Sequence, residues 1–408
     1  MKVAMHKASN VNPLPGPPVA GWRQGVTLAF AGFLPILSIL SLAPAIPTII
    51  GHFKDVPNAA FLVPLMATTP GLMVALLAPF AGIIVDRYGR RRPLLWATFA
   101  YAFSGTAPFF LNDLPTIFAS RLAVGVSETF ILVIVNALFA DYFAENRRRN
   151  WITVQGLLGP ALGAGSLALS GWLSSIYWNG VFLVYGLAFV IFLAMLAWFF
   201  EPPVAERPAD AQSTARGSGL PWKTVSAYCA VTLVMSVLYY VFLVNGGLAF
   251  EAIGTVSATR LGVIMGLVSL GVPVGALVFN VLSRHWPIER VIALVLLIVG
   301  AGTAGMGFAR SEETMAAAAV LQEIGAGMTV TGLIFWVSRL LAPEHRGRGF
   351  GLWTSAFFIA QFISPAIVGT LSAKTGSILH AFAIMGILGI VFALVIILLG
   401  KRIPQPIS

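Results

Sequence analysis

The chain has 408 residues, of which 58% are hydrophobic and only 10% are charged. This composition excludes a soluble protein, since a soluble domain is about 25% charged and has too little interior for so many apolar side chains. The formal net charge of +10 does not indicate a nucleic-acid partner, because the basic residues stand in short stretches between apolar runs. The sequence therefore predicts an all-α integral membrane protein in contact with the lipid bilayer.

Twelve apolar runs are long enough to cross a bilayer, which takes roughly 20 residues in a helix. We number them spans one to twelve and predict them at 25–50, 59–85, 93–111, 114–140, 151–175, 179–200, 223–248, 257–283, 289–308, 314–341, 349–373 and 377–400. Residues 1–24 precede them and are polar and proline-rich. We expect a cytoplasmic N-terminal segment there, not a cleaved signal peptide.

The twelve spans divide into two groups of six. Residues 201–222 separate the groups and are rich in proline, alanine, serine and glycine, which predicts a flexible cytoplasmic linker. We therefore expect an N-terminal six-helix bundle at 25–200, a C-terminal six-helix bundle at 223–400 and a cytoplasmic tail at 401–408. The termini, the linker and the other even-numbered loops hold 20 of the 25 Lys and Arg residues, so the positive-inside rule predicts that both termini are cytoplasmic.

The loop between spans two and three carries the most specific motif. Its sequence is Gly82-Ile-Ile-Val-Asp86-Arg87-Tyr88-Gly89-Arg90-Arg91-Arg92. A basic cluster after a glycine turn would by itself indicate only membrane topology. The full spacing, however, resembles the G-x-x-x-D-R-x-G-R-[RK] signature of the major facilitator superfamily.

This resemblance implies a major facilitator fold, with twelve transmembrane helices in two six-helix bundles around a central cavity. It also implies a transporter that works by alternating access, and not an enzyme. In that family the matching residues form a charge network at the cytoplasmic gate, which braces the outward-open state against span eleven. The corresponding residues here are Gly82, Asp86, Arg87, Gly89, Arg90, Arg91 and, at the end of span four, Asp141.

Span four carries charged residues inside its apolar run. Arg121 and Gly125 resemble the R-x-x-x-G element of the family, and Glu128 follows Arg121 by seven residues, two helical turns along the same face. An arginine this deep is rarely without a function, and the alternative is a structural arginine that reaches the outer surface. Glu128 and Glu323, in span ten, are the two acids well inside spans. Such a carboxyl group can take up and release a proton, or it can be a structural, hydrogen-bonded acid.

Span five contains Gly156, Gly159, Pro160 and Gly163, followed by Ala164. The pattern resembles the glycine- and proline-rich motif of antiporters in the superfamily, except that the final glycine is Ala164 here. Pro160 removes a backbone donor and the glycines let helices approach closely. We therefore expect these residues to shape a contact with the other half of the protein, with ordinary packing of small residues as the alternative.

Span one contains evidence for and against proton antiport. Its Leu42-Ala-Pro44-Ala-Ile-Pro47 stretch resembles twelve-span drug:proton antiporters. Many of those relatives carry an acidic residue in span one, and the predicted span one of this chain carries none.

Together these patterns favour proton-coupled export of amphipathic organic compounds. The expected proton-coupling and cavity residues are Glu128, Arg121, Glu323, Gln155, Asn136, Tyr239 and Gln361. The alternative is a facilitator or symporter of a metabolite or a lysolipid-like substrate, whose transporters the Gly125-Val-Ser-Glu128 stretch resembles. The expected partners are a small-molecule substrate and protons, in a functional monomer of the cell membrane. We expect no cofactor and no metal, because the single cysteine and five histidines show no ligand spacing.

Overall fold

The computed structural model describes residues 20–202, 220–255, 257–341 and 343–399. Within these ranges the chain forms helices and turns and no β-strand, which confirms the all-α prediction. Most of the predicted N-terminal segment, linker residues 203–219 and the predicted tail at 401–408 lie outside the described residues.

The first six predicted spans are all helical. Their α-helices are Trp22–Ala31, Leu34–Leu40 and Ile46–His52 for span one, Ala59–Tyr88 for span two, Arg91–Thr106 for span three, Leu114–Tyr142 for span four, Glu145–Ile176 for span five and Leu187–Trp198 for span six. Short 3-10 segments lie within span one at Ala43–Ala45, at the end of span three at Ala107–Phe109 and at the start of span six at Gly180–Gly186. Span one is interrupted because a proline stands in the first turn of each of its later pieces, where its missing N–H is tolerated.

The last six predicted spans are also helical. Their α-helices are Trp222–Ala252 for span seven, Ala258–Ser269 and Gly271–Leu282 for span eight, Ile288–Phe308 for span nine, Glu312–Leu340 for span ten, Pro343–Thr375 for span eleven and Ile378–Leu399 for span twelve. Eleven of the helical segments in the described ranges are long and apolar enough to cross a membrane.

Span three has a short α-helix. Its helix Arg91–Thr106 has 16 residues, or about 24 Å at 1.5 Å per residue. The 3-10 segment Ala107–Phe109 continues it and brings the total close to the ~30 Å of the hydrocarbon core. The span thus crosses the membrane only with the help of its terminal turn.

Span five begins earlier than its apolar run predicts. The helix starts at Glu145, six residues before the expected residue 151, and includes the basic residues Arg147, Arg148 and Arg149 in its first turns. These side chains are largely exposed, and arginine is a good helix former. The helix therefore extends past the membrane into water, which an apolar pattern alone does not reveal.

The two membrane faces differ in charge. We call the face that holds the N-terminus and the even-numbered loops the basic face. Its described basic side chains are Arg23, Arg87, Arg90, Arg91, Arg92, Arg147, Arg148, Arg149, Lys223, Arg284, Arg290, Arg339 and Arg348. The opposite face is called the far face and holds Lys54, Arg260, Arg310 and Lys374.

The two six-helix halves meet mainly along three pairs of spans: two with eleven, five with eight, and one with seven. On the first pair, the Ser355 hydroxyl donates to the Ala75 carbonyl oxygen at 2.7 Å. On the third pair, a Cβ added to Gly247 would lie 2.6 Å from the carbonyl oxygen of Ala43. The absence of a side chain at Gly247 therefore permits the close approach of spans one and seven.

The halves touch near the far face and separate toward the basic face. Near the far face, spans five and eight are in backbone contact at Gly171 and Gly262. Near the basic face, a Cβ added to Gly82, Gly156 or Gly159 would meet no atom of the described residues within 4 Å. The described conformation is therefore open toward the basic face.

Candidate functional site

Arg121 lies completely buried in span four, with 0% of its surface exposed. Its Nη2 donates to the carbonyl oxygen of Ser38 at 3.2 Å and lies 3.3 Å from the Ser38 hydroxyl oxygen. The guanidinium carbon is 5.0 Å from the ring centroid of Tyr185, within range of a cation–π interaction. Arg121 is thus held by spans one and six and does not reach the outer surface.

The interruption of span one makes this contact possible. Ser38 lies in the last turn of the helix Leu34–Leu40, where backbone carbonyls lack partners within the helix. Its carbonyl oxygen accepts a hydrogen bond from Arg121 at 3.2 Å and another from the Tyr185 hydroxyl at 2.7 Å. The broken helix therefore supplies the acceptor that a buried cation needs.

Glu128 is also buried inside the N-terminal half, with 1% of its surface exposed. The Ser38 hydroxyl and the Arg121 guanidinium are within electrostatic reach of its carboxylate, as are Tyr101 of span three and Tyr240 of span seven. Because Tyr240 belongs to the other half, Glu128 lies close to the boundary between the halves.

The polar atoms of this cluster are incompletely satisfied. Glu128 Oε2 and the Arg121 atoms Nε and Nη1 are buried and have no hydrogen-bond partner in the described part of the chain. Buried polar groups normally have a partner, so these atoms are available to a water molecule, a proton or a ligand.

Glu323 lies in span ten with 5% of its surface exposed. Its carboxylate is within electrostatic reach of Tyr239 of span seven, and its Cβ packs against span eight, where a Cβ added to Gly271 would lie 3.1 Å away. The neighbouring Gln322 donates from its amide nitrogen to the Tyr239 carbonyl oxygen at 3.4 Å. Each half therefore buries one carboxyl side chain near the middle of a span.

The other expected cavity residues are not all brought to these clusters. Asn136 is exposed, and its amide donates to the carbonyl oxygen of Leu132 in its own helix at 2.8 Å. Gln155 is half-buried beside Gly32 of span one. Gln361 is 2% exposed and packs between the halves, against Gly71 of span two.

Three residues of the Arg121–Glu128 cluster were not predicted from the sequence, namely Ser38, Tyr101 and Tyr185. The Tyr101 hydroxyl donates to the Leu34 carbonyl oxygen at 2.6 Å, and its ring lies 5.5 Å from the Tyr185 ring. Tyr101 and Tyr185 could have been noticed, because each is a tyrosine within an apolar run. A buried tyrosine hydroxyl usually has a hydrogen-bond partner, so such a residue indicates a polar contact inside the protein.

At the basic face, the loop between spans two and three is held by charged residues. Arg90 Nε lies 3.0 Å from Asp141 Oδ2. The Glu201 carboxylate accepts hydrogen bonds from the backbone N–H of Arg90 at 2.5 Å and of Arg91 at 2.9 Å. Glu201 thus caps the first turn of span three, a role that the sequence did not predict. The Asp86 side chain lies outside the described part of the structure.

The same end of the N-terminal half ties span six to spans three and four. Arg91 Nε donates to the Phe199 carbonyl oxygen at 2.7 Å, and the Tyr142 hydroxyl donates to the Phe200 carbonyl oxygen at 2.5 Å. Gly89 has a φ of +84°, and a Cβ there would lie 2.6 Å from a Glu201 carboxylate oxygen. The backbone conformation therefore favours glycine at this turn.

The glycines of the span-five motif do not make the contact expected of them in this conformation. Among the described residues, a Cβ added to Gly156 or Gly159 would meet no atom within 4 Å, and one added to Gly163 would meet only Leu40 of span one. The motif instead borders a mostly apolar cavity of 550 Å³ between spans five, eight and ten, lined by Gly156, Pro160, Val272, Pro273, Ala276, Leu277, Phe279, Asn280, Ser283, Thr331 and Phe335. The physical reason is that the halves are apart at this depth.

The sequence matches the family model of the Major Facilitator Superfamily over residues 28–255 and again over residues 228–408. The chain belongs to this superfamily. It is therefore an integral membrane transporter of a small-molecule substrate and not an enzyme, which confirms the family predicted from the loop between spans two and three.

The individual relatives have low sequence identity, but their alignments cover about half or more of the chain. An uncharacterized MFS-type transporter of Bacillus subtilis (strain 168), YceJ, is 24% identical over 343 residues, covering 81% of this chain and 84% of that protein. The class B tetracycline resistance protein of Escherichia coli is 24% identical over 230 residues, covering 55% of this chain and 54% of that protein. The crystal structure of a D-xylose-proton symporter aligns with a TM-score of 0.77 at 12% identity, covering 94% of this chain and 98% of that one. The last similarity concerns the fold alone.

Proposed function

We propose that this superfamily member exports amphipathic organic compounds in exchange for protons, by alternating access. The observation that carries the proposal is one buried carboxyl group in the middle of each half, Glu128 in span four and Glu323 in span ten. Ionisable groups at this depth are typical of proton and substrate pathways. The similarity to a tetracycline resistance protein over about half of each chain also supports export of an organic compound.

The charge difference between the faces supports an orientation. The positive-inside rule assigns the basic face to the cytoplasm, with both termini on that side. The described conformation is then the inward-facing one, ready to receive a substrate from the cytoplasm or the inner leaflet. We further propose that the protein works in the cell membrane as a monomer, because each half contributes its own carboxyl group to one chain.

The proton-coupling role falls first on Glu128, because Arg121 and the Ser38 hydroxyl are within electrostatic reach of its carboxylate. Glu128→Gln keeps the shape of the side chain but cannot bind and release a proton. We expect it to abolish uphill export driven by a pH gradient in proteoliposomes while downhill exchange of substrate continues. Glu251→Gln, which changes an acid at the far end of span seven, is the matched control. Uphill export by Glu128→Gln at the wild-type rate would remove the role from Glu128 and assign it to Glu323.

A second candidate function is symport or facilitated transport of a metabolite or lysolipid-like substrate with an anionic group. The observation in its favour is that two buried nitrogen atoms of Arg121, Nε and Nη1, have no hydrogen-bond partner within the ranges that the structure describes. Guanidinium groups bind carboxylate and phosphate well. The direction of proton flux separates the two functions. In proteoliposomes an exporter of the proposed kind moves protons against the substrate flow, a symporter moves them with it, and a facilitator moves none.

A further inference from the structure

Spans seven and eleven carry four aromatic side chains in mutual contact, which we call the aromatic cluster. The rings of Tyr239 and Tyr240 lie 4.8 Å apart, and both lie near the ring of Phe357, at 5.6 and 5.4 Å. Trp353 stacks on the other side of the group, 5.5 Å from Phe357. Tyr239 is half-buried while the other three are buried. The cluster therefore presents an aromatic surface at Tyr239 on a buried aromatic support.

Glu323 lies beside this cluster. Its carboxylate is within electrostatic reach of Tyr239, and no charged group or hydrogen-bond donor among the described residues compensates for its burial. This differs from Glu128, which has Arg121 and the Ser38 hydroxyl within reach. A buried carboxylate of this kind needs either a proton or a cation as its partner.

Two further polar atoms around the cluster have no hydrogen-bond partner among the described residues. Gln322 is 0% exposed and this atom is its Oε1; Trp353 is 9% exposed and this atom is its Nε1. The amide nitrogen of Gln322 donates to the Tyr239 carbonyl oxygen at 3.4 Å, so this side chain adjoins the same surface. The region thus combines aromatic faces, a carboxylate and unused hydrogen-bonding atoms, which is the chemistry that binds an organic cation.

The net charge of the buried side chains in the described spans also favours a cationic ligand. Arg121, Glu128 and Glu323 are buried in the middle of spans, whereas the buried His345 lies in the first turn of span eleven. With both carboxyl groups ionised, these three side chains carry a net charge of −1. One bound proton or one bound monovalent cation restores neutrality, which is favoured in the middle of a membrane.

We propose that Glu323 and the aromatic cluster bind the cationic group of an amphipathic substrate, and that one proton leaves the core as the cation binds. The proton passes from a carboxyl oxygen to water, and the substrate cation takes over the charge that the proton had neutralised. The other titratable groups that face the two carboxylates are Tyr239 at Glu323, and Arg121, Tyr101 and Tyr240 at Glu128. Arginine and tyrosine side chains do not ordinarily titrate near neutral pH, so the carboxyl groups perform the exchange.

This inference rests on the proposed function, of which it names the substrate class. Its test uses purified full-length protein in detergent and the probe tetraphenylphosphonium, with binding measured by equilibrium dialysis and proton release by a pH-indicator dye in weak buffer. We expect binding with release of about one proton per cation, since one positive charge replaces another. Tetraphenylborate has the same shape and the opposite charge, and we expect it not to compete.

The variants separate the parts of the site. We expect Glu323→Gln to weaken tetraphenylphosphonium binding by at least about tenfold and to abolish proton release, because the counter-charge is lost. Tyr239→Leu should weaken binding roughly three- to tenfold while Tyr239→Phe retains most of it, because the ring face and not the hydroxyl attracts the cation. Glu251→Gln, in span seven but distant from the cluster in sequence, should bind like the wild type.

Equal competition by tetraphenylborate, or wild-type affinity in Glu323→Gln, would overturn the proposal. The wild-type competition result does not depend on any variant folding correctly. A different result would contradict the proposed function and not the cation site. If tetraphenylphosphonium binds through Glu323 and releases a proton, but a pH gradient drives no export of it, the cation site stands and proton-coupled export is wrong.

Discussion

Gly171 of span five and Gly262 of span eight are in backbone contact near the far face, where a Cβ added to Gly262 would lie 2.5 Å from the Leu167 carbonyl oxygen and 3.0 Å from the Gly171 Cα. The contact joins the two halves on the side that is closed in this conformation. Alternating access requires this side to open when the basic face closes. A larger side chain at this position therefore acts on the balance between the two states.

Gly262→Leu should favour the state that is open to the far face. Overpacking of this kind costs about 1 to 3 kcal/mol, which corresponds to a roughly 5- to 150-fold change in the ratio of the two states. We expect transport to fall, and cysteines placed on far-face segments of the cavity to react faster with a membrane-impermeant maleimide. Gly165→Leu is the control, since a Cβ there meets no atom within 4 Å in the described ranges. Unchanged labelling in Gly262→Leu would show that this contact does not control the closed side.

Gly159→Leu should have the opposite effect. A Cβ at Gly159 meets no atom of the described residues within 4 Å, so the substitution is compatible with the state open to the basic face. When that face closes, span five must approach the other half, and a leucine would resist the contact that glycine permits. We expect normal membrane insertion, loss of transport and slower labelling from the far face than in the wild type. Normal transport by Gly159→Leu would reduce the motif to ordinary packing of small residues.

Much of the fold could be predicted because a bilayer permits few structures. Backbone groups in lipid must be paired within a helix, so each apolar run of sufficient length becomes a span. The exceptions follow from the same physics. The start of span five at Glu145 lies in water, where hydropathy gives no signal, and the short span three is completed by the 3-10 segment Ala107–Phe109.

The site could be predicted only in part, because a sequence lists charged residues but not the groups that surround them. Arg121 and Glu128 were identifiable as charges within an apolar run. The Ser38 carbonyl, which holds Arg121, became available only through the break in span one. Glu201 was assigned to the linker by its composition, yet its carboxylate caps span three through two backbone hydrogen bonds. Such contacts join segments more than 80 residues apart and leave no local pattern.

Glu201→Gln should weaken the basic-face end of the N-terminal half. A carboxylate that accepts two N–H groups at a helix N-terminus benefits from both charge-assisted hydrogen bonds and the helix dipole. An exposed site of this type contributes about 1 kcal/mol, so we expect the midpoint of thermal unfolding in detergent to fall by roughly 2 to 4 °C. Glu145→Gln, an exposed acid in the first turn of span five, is the control. If the midpoint of thermal unfolding fell equally in both variants, the loss of stability would result from the change in surface charge and not from the cap of span three.

The loop between spans two and three combines two kinds of contact. The described contacts of Arg90 with Asp141 and with Glu201 lie within the N-terminal half, so they are independent of how the halves move. The resemblance to the family assigns Asp86 a different role, as a contact to the other half near the start of span eleven. That role requires the basic face to be closed. Asp141 and Asp86 should therefore respond differently to the same substitution.

Asp86→Asn should leave insertion and protein amount normal, since topology depends on Lys and Arg and hardly on Asp. We expect a large loss of transport and a shift toward the state open to the basic face, because an amide interacts more weakly with a positive helix end than a carboxylate does. Labelling of cysteines placed on each side measures the shift. Asp141→Asn should lower thermal stability with little change in labelling, and Asp55→Asn, exposed on the far face, should change neither. Wild-type transport and labelling in Asp86→Asn would show that the basic cluster sets topology alone.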